Sequence, residues 1–480
     1  MEDRSTSAKV VRSAGLRRVL DVLGDWAVGP GPLFRQLARA VAAAIENGSL
    51  AEGFRLPSER MLSAALFVSR GTAVAAYELL AADGLAARHQ GSGTYVAGAD
   101  AMGLPDGREG SPLVHRLVER SHGPSAVIDL SISVLHDATG LAAVTLTSND
   151  LRSMAPETGY SPWGSSGLRA LVAGHVTDWG LPTSAGQVVM TTGAQQGISA
   201  AASCWLRPGD DVVVEDPCYP GAIAAFAQAG ARLVGVPVDG EGVRLDELRR
   251  ALEGRPALVY LQPTVQSPTG TVLSLARRRR VAELVRLFRV PMVEDLALAD
   301  LCWTPAPPPV AAFCPEESVA VVGSLSKVLW GGLRLGFVRA PEALALRFAR
   351  VKATSDLGSS AVSQMLAERL LSGGADAWRA PCGHLRHRYE VLADALSDRL
   401  GTWSWDEPSG GLSIWVSLDG ADAERFAQSA LRHGVAVATA APLSVSDRHP
   451  DRIRLSFASP PAVLRQGVER LQRAWETSQG

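Results

Sequence analysis

Apolar residues near the N-terminus recur with the period of an α-helix. Within residues 33–47 the apolar positions are spaced by four and share one face, which predicts a single amphipathic helix. These positions are Leu33, Leu37, Val41 and Ile45. Gly48 follows the pattern directly and is the expected stop, because glycine readily adopts the left-handed conformation that ends many helices.

Two further helices and a hairpin are predicted between residues 57 and 97. Ser58 and Ser69 are candidate N-caps, because a serine hydroxyl can accept a free N–H group of the first turn. Helices are therefore expected to run to about Leu66 and Ala82. Two short extended segments then flank the glycine-rich Gly91–Gly93. Three helices followed by a small hairpin indicate a winged helix-turn-helix.

After about Ile128, short apolar runs alternate with longer helical patterns, which predicts an α/β domain with a mostly parallel sheet. The runs lie at residues 188–190, 212–215, 233–236, 258–261, 291–294 and 319–322. Beyond about Pro341 the pattern is rich in helices, and strands at 411–416 and 452–457 predict a smaller α+β domain. We therefore expect a DNA-binding domain over residues 28–97, a linker over 98–127 and a large domain over 128–478.

Composition narrows the class of protein. A chain of 480 residues with 46% hydrophobic residues is long enough for more than one folded domain. Its five cysteines are widely spaced and form no C-x-x-C pair, which argues against a disulfide framework and against a zinc or other metal site. No apolar signal region opens the chain and no apolar run is long enough to cross a bilayer. We expect a cytoplasmic protein without a membrane partner.

Charge is divided unevenly along the chain. The first 97 residues carry 11 Lys and Arg against 9 Asp and Glu, and the remainder carries 36 against 40. This weak asymmetry suits a DNA-binding head but does not demonstrate one.

Lysine occurs only as Lys9, Lys327 and Lys352, whereas arginine is abundant. A lysine that remains in such a composition is a candidate for a role that requires an amine.

Residues 55–96 resemble the DNA-binding domain of the GntR family. The matching pieces, in order, are LPSER at 56–60, VSR-x-T at 68–72, AYELL-x-x-x-GL at 76–85 and GSGTYV at 91–96. The resemblance implies a double-stranded DNA operator as partner, read by the start of the second helix of the motif. The implied DNA-contacting residues are Arg55, Ser58, Arg60, Ser69, Arg70, Thr72 and Gly91. Tyr77 is expected in the core.

Residues 160–340 resemble the fold type I aminotransferases, which hold pyridoxal 5'-phosphate, and the combination with a GntR head resembles the MocR subfamily. Within GSLSKVLWGGLRLG, Lys327 matches the lysine of the internal aldimine, an amine that arginine cannot replace. Asp295 matches the aspartate beside the pyridine nitrogen. The resemblance implies further cofactor contacts from Ser324, Arg334, Gly193, Ala194, Gln195, Tyr219, Ser267 and Tyr160, the last in a neighbouring subunit of a homodimer. Arg454 matches the arginine that binds a substrate carboxylate.

Singly, these residues also suit structural roles, since Gly193 could serve a turn, Asp295 a helix cap and Tyr219 the core. The sequence also departs from the family pattern. Ser267 stands where many relatives have an asparagine that hydrogen-bonds the phenolic oxygen of the cofactor. Ala297 and Leu298 stand where a tyrosine usually binds the same oxygen, although Gln266 is a possible substitute. Efficient transamination is therefore in doubt.

Three hypotheses remain. The chain is a regulator whose aminotransferase-like domain senses the cofactor, or an amine or amino acid effector, with weak or absent transaminase activity. Alternatively, it is a working aminotransferase with an added DNA-binding head. In the third hypothesis the large domain has lost the cofactor and serves dimerisation alone. The retained Lys327, Asp295 and Arg334 argue against the third, and the missing phenolic-oxygen donors argue against the second.

Overall fold

The structure is a computed structural model. It describes residues 127–135, 144–154 and 158–479 except 315–318, 380 and 447, together with most of residues 16–96. The undescribed positions within 16–96 are 17, 21, 25, 28–31, 48, 51–53, 67, 83–84 and 90–92. The chain forms two compact units, residues 1–108 and 109–480.

After helical residues at 16, 18–20 and 22–23, the described part of the N-terminal unit has three helices and a hairpin. They are α1 (Leu33–Glu46), α2 (Glu59–Leu66), α3 (Arg70–Ala82), β1 (Ala86–His89) and β2 (Gly93–Val96). Both predicted serine caps are present, since the hydroxyl of Ser58 accepts from the N–H of Met61 at 3.4 Å and that of Ser69 from Thr72 at 3.1 Å. Tyr77 is fully buried and donates to the carbonyl of Pro57. The predicted core tyrosine and helix starts are therefore confirmed.

The larger unit is built on an eight-stranded sheet in the order β4-β11-β10-β9-β8-β5-β6-β7. The strands β10, β9, β8, β5 and β6 are parallel, while β11 and β7 run antiparallel to their neighbours. Their bounds are β4 (Val188–Thr191), β5 (Asp211–Asp216), β6 (Arg232–Asp239), β7 (Gly242–Val243), β8 (Leu258–Leu261), β9 (Met292–Asp295), β10 (Val319–Ser324) and β11 (Gly336–Arg339).

The central strands are buried along their whole length because helices cover both faces of the sheet. This explains why they read as continuous apolar runs and not as alternating ones. The helices of this region are α4 (Ser148–Met154), α5 (Ser166–Asp178), α6 (Ala194–Trp205), α7 (Pro220–Gln228), α8 (Leu245–Glu253), α9 (Leu275–Phe288), α10 (Glu342–Ser355), α11 (Ala361–Leu371) and α12 (Ala375–Arg379). The mostly parallel sheet predicted from the sequence is confirmed.

A second, four-stranded antiparallel sheet forms the smaller α+β part of this unit, in the order β12-β13-β16-β15. Its strands are β12 (Ser404–Trp405), β13 (Ser413–Ser417), β15 (Ala438–Thr439) and β16 (Arg452–Ser456), and β3 (Ile128–Asp129) pairs separately with β14 (Val435–Ala436). The accompanying helices are α13 (Cys382–Arg399), α14 (Ala423–Arg432) and α15 (Pro461–Gln479). Among the described residues no helix has the length and apolarity needed to cross a membrane. The predicted stop at Gly48 and nearly all of the predicted linker lie outside the described residues.

Candidate functional site

The chemistry-bearing residues of the larger unit follow the carboxyl ends of neighbouring strands. Asp295 is the last residue of β9, Ser324 is the last residue of β10, and Lys327 lies three residues further on. Thr192 and Gly193 follow β4, and Tyr219 follows β5. The carboxyl ends of parallel strands share one edge of a sheet, where ligands of α/β proteins usually bind. The fold therefore brings together residues that can lie more than a hundred positions apart in the sequence.

Lys327 presents its amine inside the larger unit. Its Nζ donates to the carbonyl oxygen of Ser133 at 2.7 Å. Burial, followed by the nearby positive charge of Arg454, lowers the pKa of Lys327 to about 8, although Asp295 acts in the opposite direction. A lysine with this pKa is neutral in about a tenth of the molecules at pH 7, far more often than an unperturbed lysine, and only the neutral amine is a nucleophile.

Asp295 is a buried carboxylate that three donors stabilise. Its oxygens accept from the hydroxyl of Tyr260 at 2.5 Å, from Nε2 of Gln262 at 3.1 Å and from the backbone N–H of Ala297 at 2.8 Å. Burial raises the pKa of Asp295, and these hydrogen bonds oppose that rise. The donor set thus favours a negative charge in a place where desolvation alone would remove it.

The turn between β4 and α6 forms a candidate anion site. Gly193 has a φ of +102°, and a Cβ at this position would lie 3.4 Å from Nη2 of Arg334. The same Nη2 donates to the carbonyl of Thr192 at 2.8 Å. The helix α6 begins at Ala194, so its first N–H groups and positive dipole end lie beside the Arg334 guanidinium. The hydroxyl of Ser326, the residue before Lys327, is buried and has no hydrogen-bond partner among the described residues.

Tyr219 and Gln195 lie next to each other near this turn. Nε2 of Gln195 donates to the carbonyl of Gly221 at 2.8 Å, and its Oε1 is buried without a partner in the described part of the chain. A Cβ on Gly221 would lie 2.5 Å from the ring of Tyr219, so glycine is needed there for the tyrosine ring to occupy its place. Burial, reinforced by Asp295, raises the pKa of Tyr219 to about 12, which keeps its hydroxyl protonated.

Arg454, on β16, is 4% exposed and donates from Nη2 to the carbonyl of Ser131 at 2.6 Å. Its Nε has no partner among the described residues, so a buried donor remains for a ligand. Burial lowers the pKa of Arg454 to about 10, which leaves it charged at neutral pH. Tyr160, by contrast, is 70% exposed in the single chain.

The loop after β8 contains the segment in which the family asparagine is replaced. The N–H of Ser267 donates to Oε1 of Gln262 at 3.2 Å. Gln266 donates from Nε2 to the carbonyl of Pro217 and accepts from the hydroxyl of Thr269. Both ends of the Gln266 side chain are therefore engaged within the protein, which argues against Gln266 as a substitute for the missing asparagine.

Sequence reasoning missed three polar residues around Asp295. Tyr260 and Gln262 bind it directly, and Oε2 of Glu215 accepts from the N–H of Gln262 at 2.8 Å. Burial raises the pKa of Glu215 to about 8, so it is mostly neutral at pH 7 and adds little negative charge beside Asp295. One signal was available, because a tyrosine in the otherwise apolar strand LVYL needs a partner for its hydroxyl.

Several predicted DNA-contacting residues are described in the N-terminal unit. Ser58 and Ser69 are exposed helix caps, and the hydroxyls of Ser69 and Thr72 lie 2.9 Å apart. The exposed Arg55 lies over the ring of Tyr95, 5.9 Å from its centroid. Arg70 is the first residue of α3 and Arg60 is the second residue of α2. The side chains of Arg60 and Arg70, and the whole of Gly91, lie outside the described residues.

Comparisons with protein families match both parts of the chain. The family described as Aminotransferase class I and II matches residues 125–471, and the family described as Bacterial regulatory proteins, gntR family, matches residues 33–96. The chain therefore belongs to the aminotransferase class I and II family, and its fold is that of the fold type I enzymes. It is, more particularly, a fusion of a GntR helix-turn-helix domain with such a domain, which is the arrangement of MocR regulators. This confirms the family and fold predicted from the sequence.

Individual relatives agree with both halves of this assignment. The uncharacterized HTH-type transcriptional regulator YisV of Bacillus subtilis is 29% identical over 455 residues, which cover 89% of this chain and 93% of YisV. The 2-aminoadipate transaminase of Thermus thermophilus is 33% identical over 333 residues, 67% of this chain and 80% of that enzyme. The crystal structure of the α-aminoadipate aminotransferase LysN of Thermus thermophilus, complexed with N-(5'-phosphopyridoxyl)-L-leucine, matches with a TM-score of 0.68 and 28% identity, covering 79% of this chain and 98% of LysN.

Proposed function

We propose that this protein is a DNA-binding transcription regulator whose large domain binds pyridoxal 5'-phosphate and responds to an amine or amino acid. The observation that carries the proposal is the coexistence, on one chain, of a GntR helix-turn-helix and the convergent set Lys327, Asp295, Arg334 and Arg454. A domain kept only for dimerisation has no need of a buried amine with a lowered pKa beside a hydrogen-bonded carboxylate.

The residues present fit this cofactor. Its phosphate would bind at the turn that contains Gly193, where Arg334 and the first N–H groups of α6 offer donors. Asp295 would hold the proton of the pyridine nitrogen, and Tyr219 would lie against the ring. Ser324, Ala194, Gln195 and Ser267 complete the proposed contacts, and Tyr160 would contribute from a second copy, as its exposure allows. Bound in this way, the cofactor supplies an aldehyde and an electron sink.

Each residue of the proposed cofactor site has a separate role. Lys327 offers a neutral amine, since burial favours loss of its proton. Tyr260, Gln262 and the N–H of Ala297 donate to Asp295 and so favour its ionised form against the effect of burial. Arg454 would bind the carboxylate of an amino acid through charge-assisted hydrogen bonds.

Recognition of the effector is favoured over turnover because the usual donors for the phenolic oxygen are replaced, with only the shorter Ser267 at the asparagine position. Ala297 and Leu298 have no side-chain donor, and Gln266 is engaged elsewhere. Transamination needs several kcal/mol of stabilisation from fixed donors, whereas capture of an amine needs only access and position. A ligand of this kind regulates only if its affinity differs between the DNA-bound and free states.

The test combines three measurements on the full chain. Amino acids and amines are screened for a change in the visible absorbance of the protein loaded with pyridoxal 5'-phosphate. Each hit is then assayed for keto-acid production and for its effect on affinity for the DNA flanking the gene. We expect a hit that changes DNA affinity without turnover at enzymatic rates. Rapid turnover with unchanged DNA affinity would refute the regulator proposal.

The DNA contact is tested separately. Arg70→Ala should weaken specific binding by about 1–3 kcal/mol if this residue reads a base edge. Arg39→Ala, which removes an exposed arginine of α1, is the matched control and should have little effect. Equal losses of affinity for the specific DNA in Arg70→Ala and Arg39→Ala would show that α3 is not the recognition helix.

The second candidate function is that of an aminotransferase with an accessory DNA-binding head. The identity of 33% to the 2-aminoadipate transaminase of Thermus thermophilus favours it. Keto-acid production in the same screen distinguishes the two candidates.

A further inference from the structure

Lys352 is a buried lysine that the proposed function does not use. It lies on α10, is 2% exposed and is one of three lysines in a chain rich in arginine. Its Nζ lies 2.9 Å from Oε1 of Gln196, 3.0 Å from Oδ1 of Asp356 and 2.8 Å from Oδ2 of Asp356. An ammonium group has three N–H donors, and here there are three acceptors. Nothing in this cluster is left over for a substrate.

The cluster continues directly to the turn that forms the candidate anion site. Gln196 donates from Nε2 to Oδ2 of Asp356 at 2.7 Å, and its Oε1 accepts from the backbone N–H of Thr192 at 2.9 Å as well as from Lys352. On the other side of the same residue, the carbonyl of Thr192 accepts from Arg334 at 2.8 Å. Two donors to Oε1 fix the orientation of the Gln196 amide. In the flipped orientation the amide NH2 group would face the N–H groups of Thr192 and Lys352, and no hydrogen bond could form.

This geometry explains why a lysine is retained. The planar guanidinium of arginine carries its donors in a rigid fork and needs more room, so it cannot direct three N–H groups from one atom to three converging acceptors. Removing the charge would leave Asp356 without its main partner. Gln196 would then lose one of the contacts that orient it toward Thr192. A buried polar group that loses its partner is costly, so the turn would relax.

We propose that Lys352 is a positioning residue that, through Gln196, holds the Thr192–Gly193 turn in the conformation that binds the phosphate of the cofactor. The inference rests on the proposed binding of pyridoxal 5'-phosphate and adds a residue of this chain to that site. Lys352 touches no part of the cofactor itself. Its effect is therefore confined to ligands that carry the phosphate.

The experiment compares a ligand with and without that phosphate. Dissociation constants of pyridoxamine 5'-phosphate and pyridoxamine are measured by calorimetry for the full chain and for Lys352→Met. Neither ligand has an aldehyde, so bonding to Lys327 does not contribute. We expect Lys352→Met to bind pyridoxamine 5'-phosphate about tenfold more weakly, equivalent to about 1.4 kcal/mol, and to bind pyridoxamine within about twofold of the parent. Arg350→Met, which removes an exposed cation from the same helix, should change neither value.

Other outcomes overturn the inference in distinct ways. Equal weakening of both ligands would mean general damage to the fold, and no weakening would mean that Lys352 does not act on the turn. If Lys352→Met fails to fold, Gln196→Leu keeps the pair of Lys352 and Asp356 and removes the bond to Thr192. Gln196→Leu must then show the same phosphate-selective loss, and its absence refutes the proposal. A parent chain that binds no pyridoxal 5'-phosphate would refute the proposed function itself.

Discussion

The hydroxyl of Tyr260 should make a large contribution to stability because it is a buried donor to a carboxylate. Tyr260 is fully buried, and its hydroxyl lies 2.5 Å from Oδ2 of Asp295. Tyr260→Phe keeps the ring and its edge-on contact with Phe226 and removes only the hydroxyl. A hydrogen bond to a charged group contributes about 1.5–3 kcal/mol, so the free energy of unfolding of the larger unit should fall by about that amount at a pH where Asp295 is ionised.

The loss of unfolding free energy in Tyr260→Phe should depend on the presence of Asp295. A double-mutant cycle can demonstrate this dependence. In an Asp295→Ala background the acceptor is already absent. Tyr260→Phe should then lower the free energy of unfolding only slightly, because the hydroxyl has lost its partner. The four proteins are unfolded in guanidinium chloride, and the transition of the larger unit is followed by tryptophan fluorescence. We expect a coupling energy within the range of about 0.5–3 kcal/mol found for residues in contact.

An equal lowering of the free energy of unfolding by Tyr260→Phe in the parent chain and in Asp295→Ala would refute this reasoning. It would mean that the hydroxyl matters through packing or through another partner, and that Gln262 and Ala297 are the donors that favour the ionised form of Asp295. A smaller loss at lower pH, where Asp295 becomes protonated, would support the charge-dependent bond. The direction follows from linkage, since a bond to the carboxylate contributes only while the carboxylate is ionised.

Three further predictions concern the ligands. Borohydride reduction of the loaded protein should attach the cofactor to the peptide containing Lys327, and attachment at Lys9 or Lys352 by mass spectrometry would contradict the site. When pyridoxal 5'-phosphate is added to the cofactor-free protein, the rate at which Lys327 captures the aldehyde should rise with pH and level off above about 8, the pKa of Lys327, because protonation removes the nucleophile below it. Arg454→Met should weaken binding of an amino acid effector by about 1.5–3 kcal/mol and spare the matching amine without a carboxylate, as calorimetry can measure; equal losses would disprove the carboxylate contact.

Much of the architecture could be predicted because it depends on local pattern. Serine caps at 58 and 69 and the apolar run LVYL are local signals, and the structure has helices and a strand at these places. The position of Lys327 within its motif likewise needed no knowledge of the fold. These features follow from residues that are neighbours in the chain.

The surroundings of the site could not be predicted in the same way because they depend on contacts between distant segments. Gln262 and Asp295 are 33 residues apart, and Lys352 and Gln196 are 156 residues apart. The contact between Gln266 and Pro217, which spans 49 residues, depends on the fold in the same way. Side-chain amides have donors and acceptors that fit many partners, so the sequence alone does not determine which partner each one takes.

One short segment contributes two acceptors to the proposed ligand site. The carbonyl of Ser131 accepts from Arg454, and the carbonyl of Ser133 accepts from Lys327. A ligand that approaches either cation therefore competes with a tethered protein oxygen and not with water alone. Such an internal competitor has a high effective concentration, so weak single-point binders are disfavoured. Selectivity should accordingly favour molecules that engage the sites of Lys327 and Arg454 at once over molecules that engage only one of them.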